Sequence, residues 1–367
     1  LLATGNGRCN FTNEYQDESC YRSSNPKLLK SVLEYFNVER TLMEFSKMGV
    51  LARNRDGYYY PRSNQAAGVR FCLEQAVRSK NISVVYECSV LGIKEKNHVF
   101  FISSSKGEYV GKNIILCTGG KASPKSGSDG AGYEFAKKLG HSIIKPLPAL
   151  VQLHCREKCF QKLKGIRAIG EVSLFVDGKE IAKDFGELQF TKDGISGIPV
   201  FNISRFAVRG LEKRKEVVAS IDLFPEFSLD VLSSHLLNQL LYRPTPVSIE
   251  DGLMGMLNDR LIPVILKEMG LRPNSSTFDL DEATIRDMAV FFKGWKVDVV
   301  GSHDFEFAQV TTGGIDLGEV SDRLESKLQK GLFFAGEILD VDGICGGYNL
   351  QWAWSSGYIA GENAAEY

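Results

Sequence analysis

The chain has 367 residues, enough for two or three domains that each bury a core without a disulfide or metal staple. Its 44 Lys and Arg stand against 45 Asp and Glu, so no global field draws nucleic acid or an anionic membrane, and neither is expected as a partner. No apolar run approaches the roughly 18 residues of a membrane helix, the start LLATGNGRCN has no signal-peptide pattern, and the eight cysteines form no C-x-x-C pair, a combination expected of a cytoplasmic protein with reduced thiols.

The chain opens on a glycine-rich loop, Gly5 to Asn10. Asn25-Pro26 is a cap and first-turn pair, followed at helical spacing by Leu28, Leu29, Val32 and Phe36, with Gly49 closing the helical region. A helix over 64–79 leads into a β-rich stretch from Val84 to Ile93. His98–Ser103, the turn at Lys106-Gly107 and Tyr109-Val110 read as a hairpin. The apolar run Ile114–Cys117, bounded by Gly119-Gly120, has the texture of a parallel-sheet strand buried on both faces.

A helix capped by Asp129 runs to Leu139 and stops at Gly140. Past Pro146 and Pro148 the pattern changes to strands joined by Asp-Gly and Gly-Lys turns, a β-rich region over 149–225. Residues 226–295 read as helical, interrupted by Pro244, Pro246, Pro263 and Pro273. Leu332–Ala335 is a second apolar strand ending at Gly336, and a helix over 349–366 follows a glycine turn. The expected architecture is α/β, with residues 1–148 and 312–367 as one unit interrupted by an insertion over 149–311.

Three glycine turns carry the chemical argument: Gly5–Asn10, Thr118–Gly120 and Gly336–Asn349. Glycine has no Cβ and tolerates positive φ, so backbone N–H groups can approach a ligand closely. One such turn is an ordinary connection. Several at the ends of parallel strands lie where open α/β sheets bind ligands.

The segments Leu1–Asn13, Cys117–Gly120 and Gly336–Gln351 resemble the bacterial flavoprotein family that includes aminoacetone oxidase and a bile-acid-inducible flavoprotein. The resemblance runs the whole chain, through Gly186–Thr191, Gly194–Gly197 and Thr311–Gly314. It implies an FAD/NAD(P)-binding, Rossmann-like domain of the two-dinucleotide type, with an inserted β-barrel-like and helical domain. The implied activity is FAD-dependent oxidoreduction, moving hydride or electrons between a small organic substrate and oxygen, NAD(P)H or another acceptor. The alternative is a non-catalytic or flavin-free relative acting as a binding protein. Family members open with a strand, a G-x-G-x-x-G turn and a helix, and none precedes Leu1, so the polypeptide is expected to lack roughly 35–45 residues and, if it truly starts there, to bind FAD weakly.

The same resemblance assigns site residues. Glu337, after Gly336, accepts a hydrogen bond from a ribitol hydroxyl. Gly346, Gly347, Tyr348, Asn349 and Leu350 open the last helix toward the flavin N1 and C2=O edge. Thr4, Gly5, Gly7, Arg8, Cys9 and Asn10 run along the flavin and its phosphates, Arg8 being available for an anion. Ser89 and Val90 end a strand that approaches the adenine, and Thr118, Gly119 and Gly120 close over the nucleotide.

Each assignment has a plain structural counterpart: a loop acid for Glu337, an ion pair for Arg8, an N-cap for Asn349 and a core strand for Val90. Trp352 and Trp354 are expected in the core. Cys345 has no second cysteine near it in sequence, so redox pairing is not expected. His154, Cys155 and Cys159 do not supply four well-spaced ligands, so no metal is expected. Ser126–Gly132 lacks the Lys-Ser/Thr of a phosphate loop and reads as a helix start. No side chain is singled out as catalytic.

Overall fold

The computed structural model describes residues 1–366, and the chain forms two compact units, one from residues 1–147 and 310 onward, the other from 148–309. In the first unit, Asn25 accepts the Leu28 N–H at 3.2 Å and starts helix Pro26–Tyr35, which buries Leu28, Leu29 and Val32. The expected helical region holds two helices. The first ends at Phe36, and Asn37 caps a second, Val38–Lys47, by accepting the Arg40 N–H at 3.0 Å. Gly49, at φ +93°, closes it. A third helix spans Ala66–Ser79.

The central pairing joins the two ends of the chain. Strand Leu332–Phe334 runs parallel to Ile114–Leu116, with Leu332 opposite Ile114. Phe333, Phe334, Leu116, Ile338, Trp352 and Ile359 belong to one buried apolar cluster here. The final helix, Tyr348–Ala365, packs against both strands. Side chains alternate along a strand, so Ile115 points the other way and is 36% exposed. The run is therefore buried on one face rather than two.

Strands Val90–Lys96, Val99–Ser104 and Gly107–Gly111 make an antiparallel meander. The expected strand start at Val84 is corrected. Residues 84–89 are irregular, with Val84, Val85 and Tyr86 exposed, and Val90 opens a strand instead of ending one. A strand needs a ladder partner, and among the described residues no strand pairs with this stretch. Helix Ala131–Lys138 has Gly130 in the cap position, and Asp129 reaches only to the Ala131 N–H at 2.9 Å.

The second unit holds a closed six-stranded barrel, ordered Leu153–Cys155, Gly194–Gly197, Lys179–Thr191, Arg167–Val176, Val217–Asp222 and Trp295–Ser302. The last strand pairs back onto the first, Leu153 opposite Ser302. Phe160 lies stacked on Trp295 with ring centroids 5.8 Å apart. Within the region expected to be β-rich, Ile198–Glu212 is an α-helix. Pro199 suits its first turn, and Val200, Ile203, Ala207 and Val208 form a buried stripe at helical spacing. Helices Leu229–Leu236 and Glu282–Phe292 start on Ser228 and Asp281, which cap them, and bury Leu232, Leu236, Ile285, Met288 and Phe292. Among the described residues no helix is long and apolar enough to cross a membrane.

Candidate functional site

The parallel strands of the first unit end side by side. The Ala335 N–H donates to the Leu116 carbonyl at 3.1 Å, so Cys117–Gly120 and Ala335–Glu337 leave the sheet together. Trp352 Nε1–H donates to the Gly336 carbonyl at 3.1 Å, and the Gly336 N–H donates to Ser356 Oγ at 2.9 Å, tying the second turn to the final helix. The first turn is held by Thr311 Oγ1, which accepts the N–H groups of Lys121 and Ala122 at 2.8 and 3.0 Å. A Cβ on Gly120 would lie 2.5 Å from that hydroxyl, so close approach explains this glycine. Ser128 Oγ donates to the Gly120 carbonyl at 3.0 Å, beside Gly119. Thr118 packs against Gly132 of the following helix.

Glu337 is half-buried, and among the described residues nothing donates a hydrogen bond to its carboxylate. Burial first, and the neighbouring Asp342 carboxylate second, push its pKa up to about 7. A carboxylate held this way is ready to accept hydroxyl donors from a ligand.

The N-terminal loop packs against the start of the final helix. Gly347, at φ +93°, occupies the cap position, and a Cβ there would fall 2.1 Å from Asn10 Oδ1 and 2.7 Å from the Thr12 carbonyl oxygen. Asn13 Nδ2 donates to the Gly346 carbonyl at 3.0 Å, and Trp354 Nε1–H donates to that of Phe11 at 2.9 Å. Gln351 is buried; its Oε1 accepts from Thr12 Oγ1 at 2.6 Å and its Nε2 donates to the Phe36 carbonyl at 3.1 Å. Sequence reasoning passed over Asn13, Thr311 and Gln351. Gln351 carried the one available signal, an amide set between Leu350 and Trp352 in an apolar helix.

The other candidates fall as follows. The Thr4 carbonyl accepts the N–H groups of Gly7 and Cys9, folding the loop on itself with Gly5 at φ +56°. Cys9 is fully buried, its thiol pushed up by burial, and it packs with Phe11 and Phe45 in a cluster that also receives Leu350. Arg8 is exposed. Asn10 is 8% exposed, and neither of its amide atoms has a hydrogen-bond partner. Tyr348 is buried, meets Tyr21 edge-on at 5.6 Å, and has its phenol pushed up by burial and by the Cys20 thiol. Val90, the first residue of the meander, is 40% exposed.

Asn349 is not a cap. Its Oδ1 accepts the Gly343 N–H at 2.8 Å and its Nδ2 donates to the Gly343 carbonyl at 2.9 Å, so it braces the loop before the helix. Trp352 and Trp354 serve packing and hold backbone carbonyls. Among the described residues no group of three or more His, Cys, Asp and Glu could hold a metal, and no disulfide joins the cysteines.

A cavity of about 450 Å³ lies against Tyr348, walled by Tyr15 and Tyr58 and by Glu14 and Asp56. Two polar groups of this unit have no hydrogen-bond partner among the described residues, the Asn10 amide at the N-terminus of the 18-residue final helix and the Glu337 carboxylate at the end of the parallel strand. That donor and acceptor set fits a hydroxylated dinucleotide with a hydrogen-bonding ring.

Residues 1–363 match the HI0933-like protein Rossmann domain. A 3-dehydro-bile acid delta(4,6)-reductase of Clostridium scindens is 40% identical over 367 residues, which is 100% of this chain and 90% of that protein. Ribosomal RNA dihydrouridine synthases of Escherichia coli and Haemophilus influenzae are 29% and 28% identical, over 99% and 98% of this chain and 88% and 87% of theirs. With residues 1–363 matched by the family domain and a reductase 40% identical over the whole of this chain, the chain belongs to the HI0933-like Rossmann family of flavin-dependent oxidoreductases.

Proposed function

We propose that this protein is an FAD-dependent reductase of a carbon–carbon double bond conjugated to a carbonyl, acting on a small organic substrate. The observation that carries it is the pair of adjacent parallel strand ends, whose Gly336–Glu337 turn is bonded to Trp352 and Ser356 of the final helix, the helix that the Gly346–Gly347 turn opens. The relatives' names point to one chemistry: a delta(4,6)-reductase of a 3-dehydro compound and a synthase of dihydrouridine each saturate a double bond conjugated to a carbonyl.

When bound, reduced FAD would supply the hydride, with solvent as the source of the accompanying proton. Glu337 would accept from its ribitol, and the N–H groups of Gly346, Gly347 and Tyr348, with Asn349 and Leu350 next in the helix, would favour negative charge at the N1 and C2=O edge. Thr4, Gly5, Gly7, Arg8, Cys9 and Asn10 would hold the ring and phosphates. Thr118, Gly119, Gly120 and Val90 would hold the adenosine. Residues 1–148 and 312–367 thus hold the cofactor, and the insertion over 149–311 governs the choice of substrate. The tyrosine-walled cavity beside Tyr348 receives the reacting end of the substrate. NAD(P)H serves as reductant, and the compartment is the cytoplasm, a placement supported by the absence of disulfides among the described residues.

A structured RNA substrate is the second reading, favoured by the names of the dihydrouridine synthases. The formal charge of −1 favours the small molecule. Anaerobic, photoreduced, flavin-loaded protein mixed with a 3-oxo-4,6-diene steroid, with a uridine-containing ribosomal RNA fragment and with a saturated ketone separates the readings. Flavin reoxidation by the dienone, with loss of its conjugated absorbance, is expected. Reoxidation by RNA alone would replace the substrate class, and none by either conjugated substrate would overturn the reading.

A further inference from the structure

We infer that the Asn10 carboxamide reads the pyrimidine edge of the flavin ring, and that the apoprotein holds it there at a cost in stability. The inference rests on the flavin reading above.

Asn10 is more than nine-tenths buried, yet its Oδ1 and Nδ2 both lack a hydrogen-bond partner. An unpaired buried amide is unfavourable, and native proteins satisfy nearly all such groups. The neighbouring amides obey that rule. Asn13 accepts the Tyr15 N–H and donates to the Gly346 carbonyl, and Gln351 bonds Thr12, Phe36, Thr41 and Ser355. Asn10 sits among these saturated amides as the exception.

Its surroundings point to a ligand. Asn10 Oδ1 lies over Gly347, where any Cβ would come within 2.1 Å, so the glycine makes the room the carboxamide occupies. Gly347 caps the 18-residue final helix, whose free N–H groups and dipole favour an electron-rich atom there. The flavin pyrimidine edge presents acceptor, donor and acceptor in a row: C2=O, N3–H and C4=O. A carboxamide answers two neighbouring members at once, its oxygen accepting from N3–H and its NH2 donating to a carbonyl. Aspartate has no NH2 to donate, and leucine, of similar size, has neither group.

Two effects therefore separate at this residue. Removing the amide relieves an unpaired group in the apoprotein and deletes a contact in the holoprotein. Full-length wild type, Asn10→Leu and Asn10→Asp are compared by apoprotein thermal melting and by FAD titration, and wild type is also titrated with N3-methyl-FAD. We expect Asn10→Leu apoprotein to melt no lower than wild type while its FAD Kd rises about tenfold or more. Asn10→Asp should bind FAD more weakly still. Wild type should discriminate against the N3-methyl analogue by a similar factor, a readout that stands even where a variant fails to fold. An Asn10→Leu protein that melts lower and binds FAD as wild type does, or a wild type indifferent to N3-methylation, overturns the inference while leaving the flavin reading intact. Folded wild type that takes up no FAD overturns the flavin reading itself.

Discussion

Replacing Glu337 by Gln tests the energetics of the site directly. A carboxyl raised from 4.5 to about 7 by burial binds its proton more tightly in the folded than in the unfolded state. Below about pH 4.5 both states are protonated and the group costs nothing. As pH rises, the unfolded state ionises first, so the apoprotein loses stability until the pH passes about 7. At ~1.4 kcal/mol per pKa unit the full loss is at most about 3.5 kcal/mol. Glu337→Gln removes this slope, so its apoprotein should be more stable than wild type at pH 8 and equal to it at pH 4.5.

Flavin binding should act in the opposite sense. A ribitol hydroxyl donating to the ionised carboxylate stabilises that form, so wild-type FAD affinity should rise with pH through about 7. The Gln variant should lose about 1.5–3 kcal/mol of FAD affinity, roughly ten- to a hundred-fold in Kd. Urea unfolding of both apoproteins between pH 4.5 and 8, with FAD titrations at each end, measures both effects. Parallel stability curves, or equal FAD affinities at pH 8, would refute the assignment of this carboxylate to the cofactor.

Gly347→Ala forces a Cβ within 2.1 Å of Asn10 Oδ1 at φ +93°, and should lower stability by about 1–3 kcal/mol or more and abolish FAD retention, read by melting and by the flavin spectrum. Asn349→Asp keeps the acceptor for the Gly343 N–H but turns a second oxygen toward the Gly343 carbonyl, so it should cost about 1–3 kcal/mol by urea unfolding. In flavin-loaded protein the same change should lower the midpoint potential, and an unchanged or higher potential would count against a flavin near this helix. His141 is buried against Phe334, with Ser326 Oγ 2.8 Å from Nε2, and burial lowers its pKa although Glu319 opposes the shift. The folded state therefore binds fewer protons, and stability should fall as pH drops through about 6.5. His141→Gln should flatten that acid limb, and an unaltered slope would show that other groups produce it.

Local chemistry wrote the elements whose causes lie within a few residues. Asn25-Pro26 starts its helix because cap and first turn are neighbours in sequence, and Leu332–Ala335 declares a strand because a short apolar run before a glycine has few other uses. The closed barrel, expected from the resemblance, is present. Its sixth strand, Trp295–Ser302, lies beyond the helical stretch, and only pairing with Val217–Asp222 and Leu153–Cys155 makes it part of the barrel. Ile198–Glu212 has helical spacing but follows a strand directly, and packing decided between the two. Val84–Ser89 shows the converse: β-forming residues stay irregular where no ladder partner lies alongside. The same limit governs the site. Glycines reveal where backbone must pass close to something. Whether Asn349 caps a helix or braces a loop, and whether Asn10 is saturated like Gln351 or left unpaired, depends on groups brought from the other end of the chain, and only the folded arrangement sets those distances.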